Sequence, residues 1–205
     1  MTDLLNTFKH GLEEIIPENI LTSLLSGKKK RIVKWGADPS APDLHLGHLV
    51  ILNKLKCLQD MGHTIVFLIG DFTALIGDPS GKSETRPVLT QEDVQANTLT
   101  YEKQIFKKLD PKKTVVQHNS KWLSTLSSTE IMKIMSTYNV ARMLEREDFK
   151  NRYSKGVSIG LHEFLYPLLQ GYDSVILKND IEIGGTDQKF NLLVGRHLQS
   201  VYGIT

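Results

Sequence analysis

The sequence predicts an α/β fold: a doubly wound parallel sheet of the Rossmann type that carries a helical insertion. Strand-length apolar segments alternate along the chain with segments whose apolar residues recur every three or four positions, a spacing typical of helices. The segment Thr64–Ile69 is almost wholly apolar, as expected of a strand buried on both faces of a parallel sheet. The 205 residues correspond to one domain, at roughly 150 residues per domain.

The composition excludes several classes of protein. With 40% hydrophobic and 23% charged residues, the chain is neither disordered nor fibrous. Its net charge of +2 is too balanced for an overall nucleic-acid-binding coat, so RNA contacts would use a local patch. The single cysteine, Cys57, cannot form an internal disulfide, and no zinc-type spacing surrounds it. No metal site, secretory signal or membrane span is predicted, and a cytoplasmic location is expected.

The first half of the chain predicts a βαβ unit. An amphipathic segment at 17–27 is followed by the basic run 28–31, for which a solvated turn is favoured over a phosphate-binding patch. A short strand at 32–36 and a loop rich in Pro, Ser and Asp lead to an amphipathic helix at 46–61. With the strand Thr64–Ile69, this order requires a right-handed crossover.

The second half continues the alternation of helices and strands. The predicted elements are, in chain order, a helix at 90–109, a strand at 114–117, a mainly helical stretch at 122–164 with caps at Ser128 and Ser158, a strand at 180–183 and a helix at 187–198. We place the helical insertion at about 85–165.

The most informative motif lies where the first long helix begins. His45 and His48 stand one helical turn apart, beside free backbone N–H groups and the positive end of the helix dipole, which together favour a phosphate. Gly47 leaves room for a flat ring to approach the backbone. The motif therefore predicts an ATP site. Two helix-capping histidines are the alternative for an isolated pair, and a metal pair is disfavoured because no third ligand is near in sequence.

A second candidate is the loop 77–83, which looks like a phosphate-binding loop. That motif requires four residues between its glycines, whereas three separate Gly77 from Gly81. Pro79 also removes a backbone donor. A Walker-type nucleoside triphosphatase (NTPase) is therefore not expected. Asp78 follows a buried strand and could enter a site, and a simple turn leaving the sheet is an equal alternative.

Two further segments carry polar residues in meaningful positions. Tyr166, Gln170 and Asp173 share one helix face, which is either solvated or a pocket for an ammonium and a hydroxyl. Periodicity alone favours the solvated face. The turn 184–188 follows a predicted strand at its carboxyl end, where open α/β sheets bind ligands. Its Asp187 could accept ribose hydroxyls, although a turn with an N-cap would also explain it.

Taken together, these segments resemble the catalytic domain of class I aminoacyl-tRNA synthetases, specifically the bacterial tyrosyl-tRNA synthetase family. Residues 45–48 resemble the HIGH signature, 67–86 the second sheet segment and loop, and 184–188 the GGTDQ turn. Residues 166–173 are similar to the amino-acid pocket and distinguish the chain from the tryptophan enzymes. The resemblance covers nearly the whole chain, from about Leu12 onward.

The resemblance implies a tyrosine–tRNA ligase that uses ATP with Mg²⁺ and has no tightly bound cofactor. L-tyrosine and ATP would give tyrosyl adenylate and pyrophosphate, and the tyrosyl group would then pass to tRNA(Tyr). The tyrosine carboxylate attacks the α-phosphorus directly, so catalysis consists of positioning and charge stabilisation.

The resemblance also assigns residues to roles. The catalytic residues would be His45, His48 and Ser40. The tyrosine site would consist of Asp38, Asp78, Tyr166, Gln170, Asp173 and Gln188, with the ammonium held by Asp78, Tyr166 and Gln170, the phenol by Asp173, and the reacting end by Asp38 and Gln188. The ATP site would consist of Gly36, Ser40, His45, Gly47, His48, Gly185 and Asp187.

The chain departs from the family pattern beside these residues. Lys34 stands where the better-known bacterial enzymes have a tyrosine that reads the substrate hydroxyl. Discrimination would then depend more on Asp173 or on another partner. Trp35 and Ile51 stand where many relatives have small or polar residues near the ribose.

No KMSKS loop or anticodon-binding domain is present, and we expect an N-terminal catalytic fragment, 1–205. Such a fragment should bind tyrosine and form adenylate slowly, unless Lys82 or Arg86 supplies the missing cation. The segment 140–149 resembles the connective peptide, which implies a homodimer.

Two rival functions remain. A nucleotidylyltransferase shares the His-x-Gly-His helix but adenylates another acceptor, and the segments 166–173 and 184–188 argue against it. A non-catalytic synthetase-like module would dimerise without adenylate chemistry.

Overall fold

The fold is built on a parallel sheet of four strands. The computed structural model describes residues 8–25, 29–80 and 89–204. Within these ranges the strands are β1 (Ile32–Ala37), β2 (Thr64–Ile69), β3 (Thr114–His118) and β4 (Ile181–Glu182). Their order across the sheet is β3-β2-β1-β4, and every pairing is parallel. The predicted doubly wound α/β fold is confirmed.

Helices connect the strands and cover the sheet. In chain order they are α1 (Ile20–Leu25), α2 (Leu46–Asp60), α3 (Thr73–Ile76), α4 (Gln91–Ile105), α5 (Ser120–Leu123), α6 (Ser128–Ser136), α7 (Val140–Met143), α8 (Glu147–Ser154), α9 (Leu161–Leu177) and α10 (Lys189–Val201). Short 3₁₀ turns precede β3 and α10, at Pro111–Lys113 and Thr186–Gln188.

The two faces of the sheet carry different helices because side chains alternate along a strand. Val33 and Trp35 of β1 belong to a buried apolar cluster that includes residues of α2 and α4, among them Leu55 and Ile105. The side chain of Lys34, between them, contacts α9 instead. Helices α9 and α10 form a second apolar cluster with α6 and α7. The sheet is therefore covered on both faces, as in other parallel sheets.

Several predicted boundaries were wrong. Ser127, not Ser128, caps α6, because the Ser127 side chain accepts from the backbone of Glu130. Gly160, not Ser158, precedes α9, and the Ser158 carbonyl instead accepts from Arg152.

The fourth strand is also shorter than the predicted 180–183. The backbone N–H of Ile32 bonds to the Asp180 side chain rather than to a strand carbonyl.

The helical insertion is narrower than the predicted range of about 85–165. That range includes α4 and β3, yet α4 is the crossover from β2 and β3 pairs with β2 in the sheet. Helices α5 to α9 follow one another between β3 and β4 without an intervening strand. Predictions for Gly27, Lys28, Gly81, Lys82 and Arg86 fall outside the described residues. Within the described ranges, no helix is long and apolar enough to cross a bilayer.

Candidate active site

A cavity of about 400 Å³ lies at the carboxyl ends of the strands, the edge at which open α/β sheets bind ligands. All the predicted site residues line it: Gly36, Asp38, Ser40, His45, Gly47, His48, Asp78, Tyr166, Gln170, Asp173, Gly185, Asp187 and Gln188. Asp38 follows β1, the histidines begin α2, and Gly185 follows β4. Residues that are distant in sequence thus meet because parallel strands end at one edge.

The two histidines are held by the first turn of α2. The Nδ1 atom of His45 accepts from the backbone N–H of Gly47 at 3.1 Å, and that of His48 accepts from the backbone N–H of His45 at 3.1 Å. The rings stack, with centroids 3.9 Å apart. A neutral imidazole whose Nδ1 accepts carries its proton on Nε2. Each ring therefore presents an Nε2–H donor.

The neighbourhood of His48 favours this neutral form. Burial, together with the adjacent His45, lowers the pKa of His48. A Cβ atom at Gly47 would lie 2.9 Å from the His45 ring, closer than real side chains approach. Glycine at this position therefore allows the stacked arrangement. The capping interpretation is correct as geometry, and it leaves the outer nitrogen of each ring available to a ligand.

A chain of hydrogen bonds connects two carboxylates beneath the cavity. Asn119 Nδ2 donates to Asp173 Oδ2 at 3.2 Å and to Thr73 Oγ1 at 3.0 Å. The Thr73 hydroxyl donates to Asp38 Oδ1 at 2.7 Å, and the Tyr166 hydroxyl donates to Asp38 Oδ2 at 2.8 Å. Sharing these donors compensates part of the cost of burying charge.

Asp173 lies at the buried end of the cavity. It is 1% exposed, and its Oδ1 accepts from Trp122 Nε1 at 2.8 Å. Burial raises the pKa of Asp173 to about 7, against the lowering effect of Lys34 and of the Trp122 and Asn119 donors. A carboxylate has about four acceptor positions, and two protein donors leave capacity for a ligand hydroxyl.

The helix face that carries Asp173 is not solvated. Tyr166 is 5% exposed, and Gln170 lines the same cavity. Burial raises the pKa of Asp38 to about 7, opposed by its bonds to Thr73 and Tyr166. Burial and the charge of Asp38 raise the pKa of Tyr166 well above its usual value, so the phenol stays a donor. Of the two interpretations offered for this face, the polar pocket is correct.

An amide network orders the opposite wall. Gln188 Nε2 donates to Asp78 Oδ2 at 2.8 Å. Buried Asn191 donates to Gln170 Oε1 at 2.9 Å and to Gln188 Oε1 at 3.1 Å. Arg146 donates in turn to Asn191 Oδ1 at 3.1 Å. The helical insertion thus fixes two glutamines of the site through one asparagine.

Among the residues of the site that sequence reasoning missed are Gly70, Thr73, Asn119, Trp122, Asn191 and Glu182. Gly70 directly follows β2, and a Cβ there would lie 1.9 Å from the Asp38 carboxylate. Thr73 and Asn119 follow β2 and β3 closely, so the rule that ligands bind at carboxyl ends could have identified them. Trp122 and Asn191 lie inside helices and carry no such signal.

No metal centre is found in the part of the chain that the structure describes: it contains no group of three or more His, Cys, Asp or Glu side chains suited to hold an ion. Asp38, Asp78 and Asp187 all line the cavity, yet Asp38 and Asp78 already accept from protein donors.

Comparison with known proteins gives a consistent result. Residues 26–205 match the family model of the tRNA synthetases class I (W and Y). The tyrosine–tRNA ligase 2 of Vibrio cholerae is 58% identical over 195 residues, which are 95% of this chain and 49% of that protein. The tyrosine–tRNA ligase of Nitratidesulfovibrio vulgaris is 58% identical over 199 residues, or 97% of this chain and 50% of the relative. The chain therefore spans about half the length of these relatives.

A solved structure shares the fold. The C-terminally truncated mitochondrial tyrosyl-tRNA synthetase of Coccidioides posadasii superposes with a TM-score of 0.81 at 25% identity, covering 98% of this chain and 60% of that one. Together with the sequence matches, this likeness confirms the resemblance predicted from the motifs.

The two buried carboxyl groups predict how stability depends on pH. The unfolded chain releases both protons near pH 4, whereas the folded protein keeps them up to about pH 7. The folded state binds more protons in this window, so the free energy of unfolding should fall as pH rises from about 4 to 7. Each group contributes at most about 1.4 kcal/mol per pH unit.

Urea denaturation at several pH values between 5 and 8 tests this expectation. Asp173→Asn should flatten the dependence, while Asp43→Asn, which changes an exposed carboxylate, should leave its slope unchanged. Equal slopes for Asp173→Asn and the unaltered chain would contradict the assignment.

Proposed function

The chain belongs to the tRNA synthetases class I (W and Y), and from that membership we propose that it activates L-tyrosine with ATP as the catalytic domain of a tyrosine–tRNA ligase. The observation that carries the choice of tyrosine is the buried carboxyl group of Asp173 at the closed end of the cavity. A hydrogen-bond acceptor at that depth suits a phenol. The names of the relatives support the same amino acid.

In this proposal the amino-acid half of the cavity binds tyrosine by both of its ends. Asp173 accepts from the phenolic hydroxyl. Asp78, Tyr166 and Gln170 hold the ammonium, with Gln170 oriented by Asn191. Asp38 and Gln188 lie beside the carboxylate that reacts. The carboxyl group of Asp78 complements the positive charge of the ammonium, and the hydrogen bond from Asn191 holds the Gln170 amide in place. Both features support the assignment.

ATP binds in the other half of the cavity, at the start of α2. The Nε2–H groups of His45 and His48 donate to phosphate oxygens, assisted by the positive end of the helix. Ser40 lies near the terminal phosphate, and Asp187 accepts the ribose hydroxyls beside Gly185. Glycine at 36 and at 47 permits close approach. Mg²⁺ enters with the phosphates of ATP as part of the substrate complex.

The reaction needs no protein nucleophile. A carboxylate oxygen of tyrosine attacks the α-phosphorus, the new C–O–P linkage forms, and the bond to the bridging oxygen of pyrophosphate breaks. Negative charge grows on phosphate oxygens as it does so. Neutral histidine donors aimed at those oxygens stabilise the transition state more than the ground state.

The second step and the setting of the reaction form the wider part of the proposal. The tyrosyl group passes from the adenylate to the terminal ribose of tRNA(Tyr), in the cytoplasm. The amide network and the deep carboxylate favour this function over a nucleotidylyltransferase, which needs no amino-acid pocket.

We also propose that two copies of the chain associate through the helical insertion. Large apolar side chains are exposed there on α6 to α9: Met132, Met135, Val140, Tyr153 and Leu161. In the predicted segment 140–149, Val140 is exposed while Met143 and Phe149 are buried. Apolar side chains grouped in one segment favour association with a second copy.

Sedimentation velocity tests this association. The unaltered chain should sediment as a dimer at micromolar concentration, and Val140→Asp should shift it towards monomer. Leu99→Asp removes an exposed leucine of α4 outside this segment and should leave the dimer intact. A monomer at all concentrations would refute the proposal.

Tyrosine binding by calorimetry is the central test of function. The chain should bind tyrosine, and phenylalanine and tryptophan should bind far more weakly. Asp173→Asn should weaken tyrosine binding about 10- to 100-fold, the effect of losing one charge-assisted hydrogen bond. Phenylalanine binding should change little. Equal losses for both amino acids would mean that Asp173 is only structural.

The histidines predict a change in rate rather than in amino-acid affinity. His48→Asn keeps an acceptor for the backbone N–H of His45 and removes the Nε2–H donor. It should lower the single-turnover rate of adenylate formation about 100-fold or more, with tyrosine affinity unchanged. Thermal denaturation checks that α2 is intact. An unaltered rate would mean that His48 is only a helix cap.

A further inference from the structure

Lys34 is a buried cation whose hydrogen bonds are all accounted for. It is 0% exposed, in the middle of β1. Its Nζ donates to Glu182 Oε1 at 2.8 Å, to Ser174 Oγ at 2.8 Å and to the carbonyl of Gln170 at 3.1 Å. A lysine ammonium has three donors. None is therefore left for a ligand.

The acceptors of Lys34 are themselves fixed. The Ser174 hydroxyl donates to Glu182 Oε2 at 2.7 Å, which closes a ring of three side chains. Lys34 and Glu182 are also register partners across the parallel pair of β1 and β4. Moving the ammonium towards a substrate would break several bonds in a buried region, at substantial cost.

The position of this ring connects it to the substrate. Lys34, Asp173 and Glu182 all line the cavity, and Lys34 is the only lysine or arginine among the described lining residues. Two further titratable groups face Asp173, namely Asp38 and Tyr166. The remaining donors to Asp173, Trp122 and Asn119, are neutral. Within the described part of the chain, Lys34 alone brings a lysine or arginine charge to this end of the cavity.

We infer that Lys34 is a positioning residue of the tyrosine pocket: clamped by Glu182 and Ser174, it never touches the substrate, and its charge stabilises the Asp173 carboxylate as an acceptor. This inference rests on the proposed function. It also defines the substrate class more finely, because the ionised Asp173 carboxylate offers a hydrogen-bond acceptor to the para position. A para substituent must donate a hydrogen bond to be recognised.

The groups around Asp173 shift its pKa in the directions that the inference requires. Burial raises the pKa of Asp173, Lys34 is the largest influence that lowers it, and Glu182 raises it. Removing Lys34 alone leaves the like charges of Asp173 and Glu182 uncompensated and should raise this pKa further. Removing Glu182 alone should lower it, because the charge of Lys34 is then uncompensated. Removing both should return it towards the value in the unaltered chain.

A purely structural ion pair predicts a different pattern. In that case Lys34→Met and Glu182→Gln would both reduce stability by breaking the bond between β1 and β4. The two substitutions would not shift the titration midpoint of Asp173 in opposite directions. The sign of the change therefore separates the two roles, even when one variant is less stable.

The experiment follows the Asp173 carboxyl carbon by NMR in the ligand-free chain, labelled with ¹³C-aspartate and assigned with Asp173→Asn. Lys34→Met should raise the titration midpoint, Glu182→Gln should lower it, and Lys34→Met/Glu182→Gln should restore it. Should Lys34→Met fail to fold, Glu182→Gln and the double variant still decide the sign. If the titration midpoint in all three variants equals that of the unaltered chain, the inference is wrong.

Binding measurements on the same variants test the link to the substrate. Lys34→Met should weaken tyrosine binding at pH 7 about tenfold or more, with recovery as pH rises and Asp173 ionises. The unaltered chain should bind 4-amino-L-phenylalanine, a donor, at least about tenfold more tightly than 4-fluoro-L-phenylalanine, which cannot donate from that position.

The binding measurements and the NMR titration test the proposed function and the inference independently. If the unaltered chain binds no tyrosine, the proposed function is wrong, while the NMR titration still measures the effect of Lys34 on Asp173. If tyrosine binds and Lys34→Met leaves its pH profile unchanged, Lys34 is structural and the inference is wrong. Preference for the fluoro analogue would likewise contradict an acceptor at the para position.

Discussion

The parallel pairing of β1 with both of its neighbours is the constraint on which the site depends. Because β2 and β4 run alongside β1 in the same direction, the turns that follow the three strands emerge together. Asp38, Thr73, Asp187 and Gln188 reach one cavity for this reason. Reversal of any strand would send its turn to the opposite edge of the sheet. The residues of the site are thus far apart in the sequence, and the topology of the sheet brings them together.

The second requirement is that buried charge be shared. Burying the carboxylate charges of Asp38 and Asp173 without hydrogen-bond donors would cost much free energy. The bridge through Thr73 and Asn119 supplies donors to both. Neutral donors reduce the cost without cancelling the charge. Both carboxyl groups consequently keep pKa values near 7, within the range where ligands and neighbouring charges decide their ionisation.

Much of the fold and of the candidate site could be predicted from the sequence, and the wrong predictions have physical causes. The strands and α2 were located because buried strands and amphipathic helices leave strong patterns. The caps at Ser128 and Ser158 were misplaced because neighbouring serines and glycines satisfy a helix end equally well. The face of α9 was ambiguous, since periodicity shows which residues lie together and not whether water covers them. Lys34 could not be interpreted because its partner Glu182 is 148 residues away in sequence and adjacent only in the sheet.

The bond from Arg146 to Asn191 makes the ordering of the cavity depend on a segment outside the sheet. Local opening of a folded protein detaches segments outside the sheet before it breaks the central strands. If α8 and its preceding loop detached briefly, Asn191 would lose its anchor and the glutamines it orients would become mobile, while the sheet stayed intact. We therefore expect amide exchange in the helical insertion to be coupled to the residence time of any ligand that these glutamines hold.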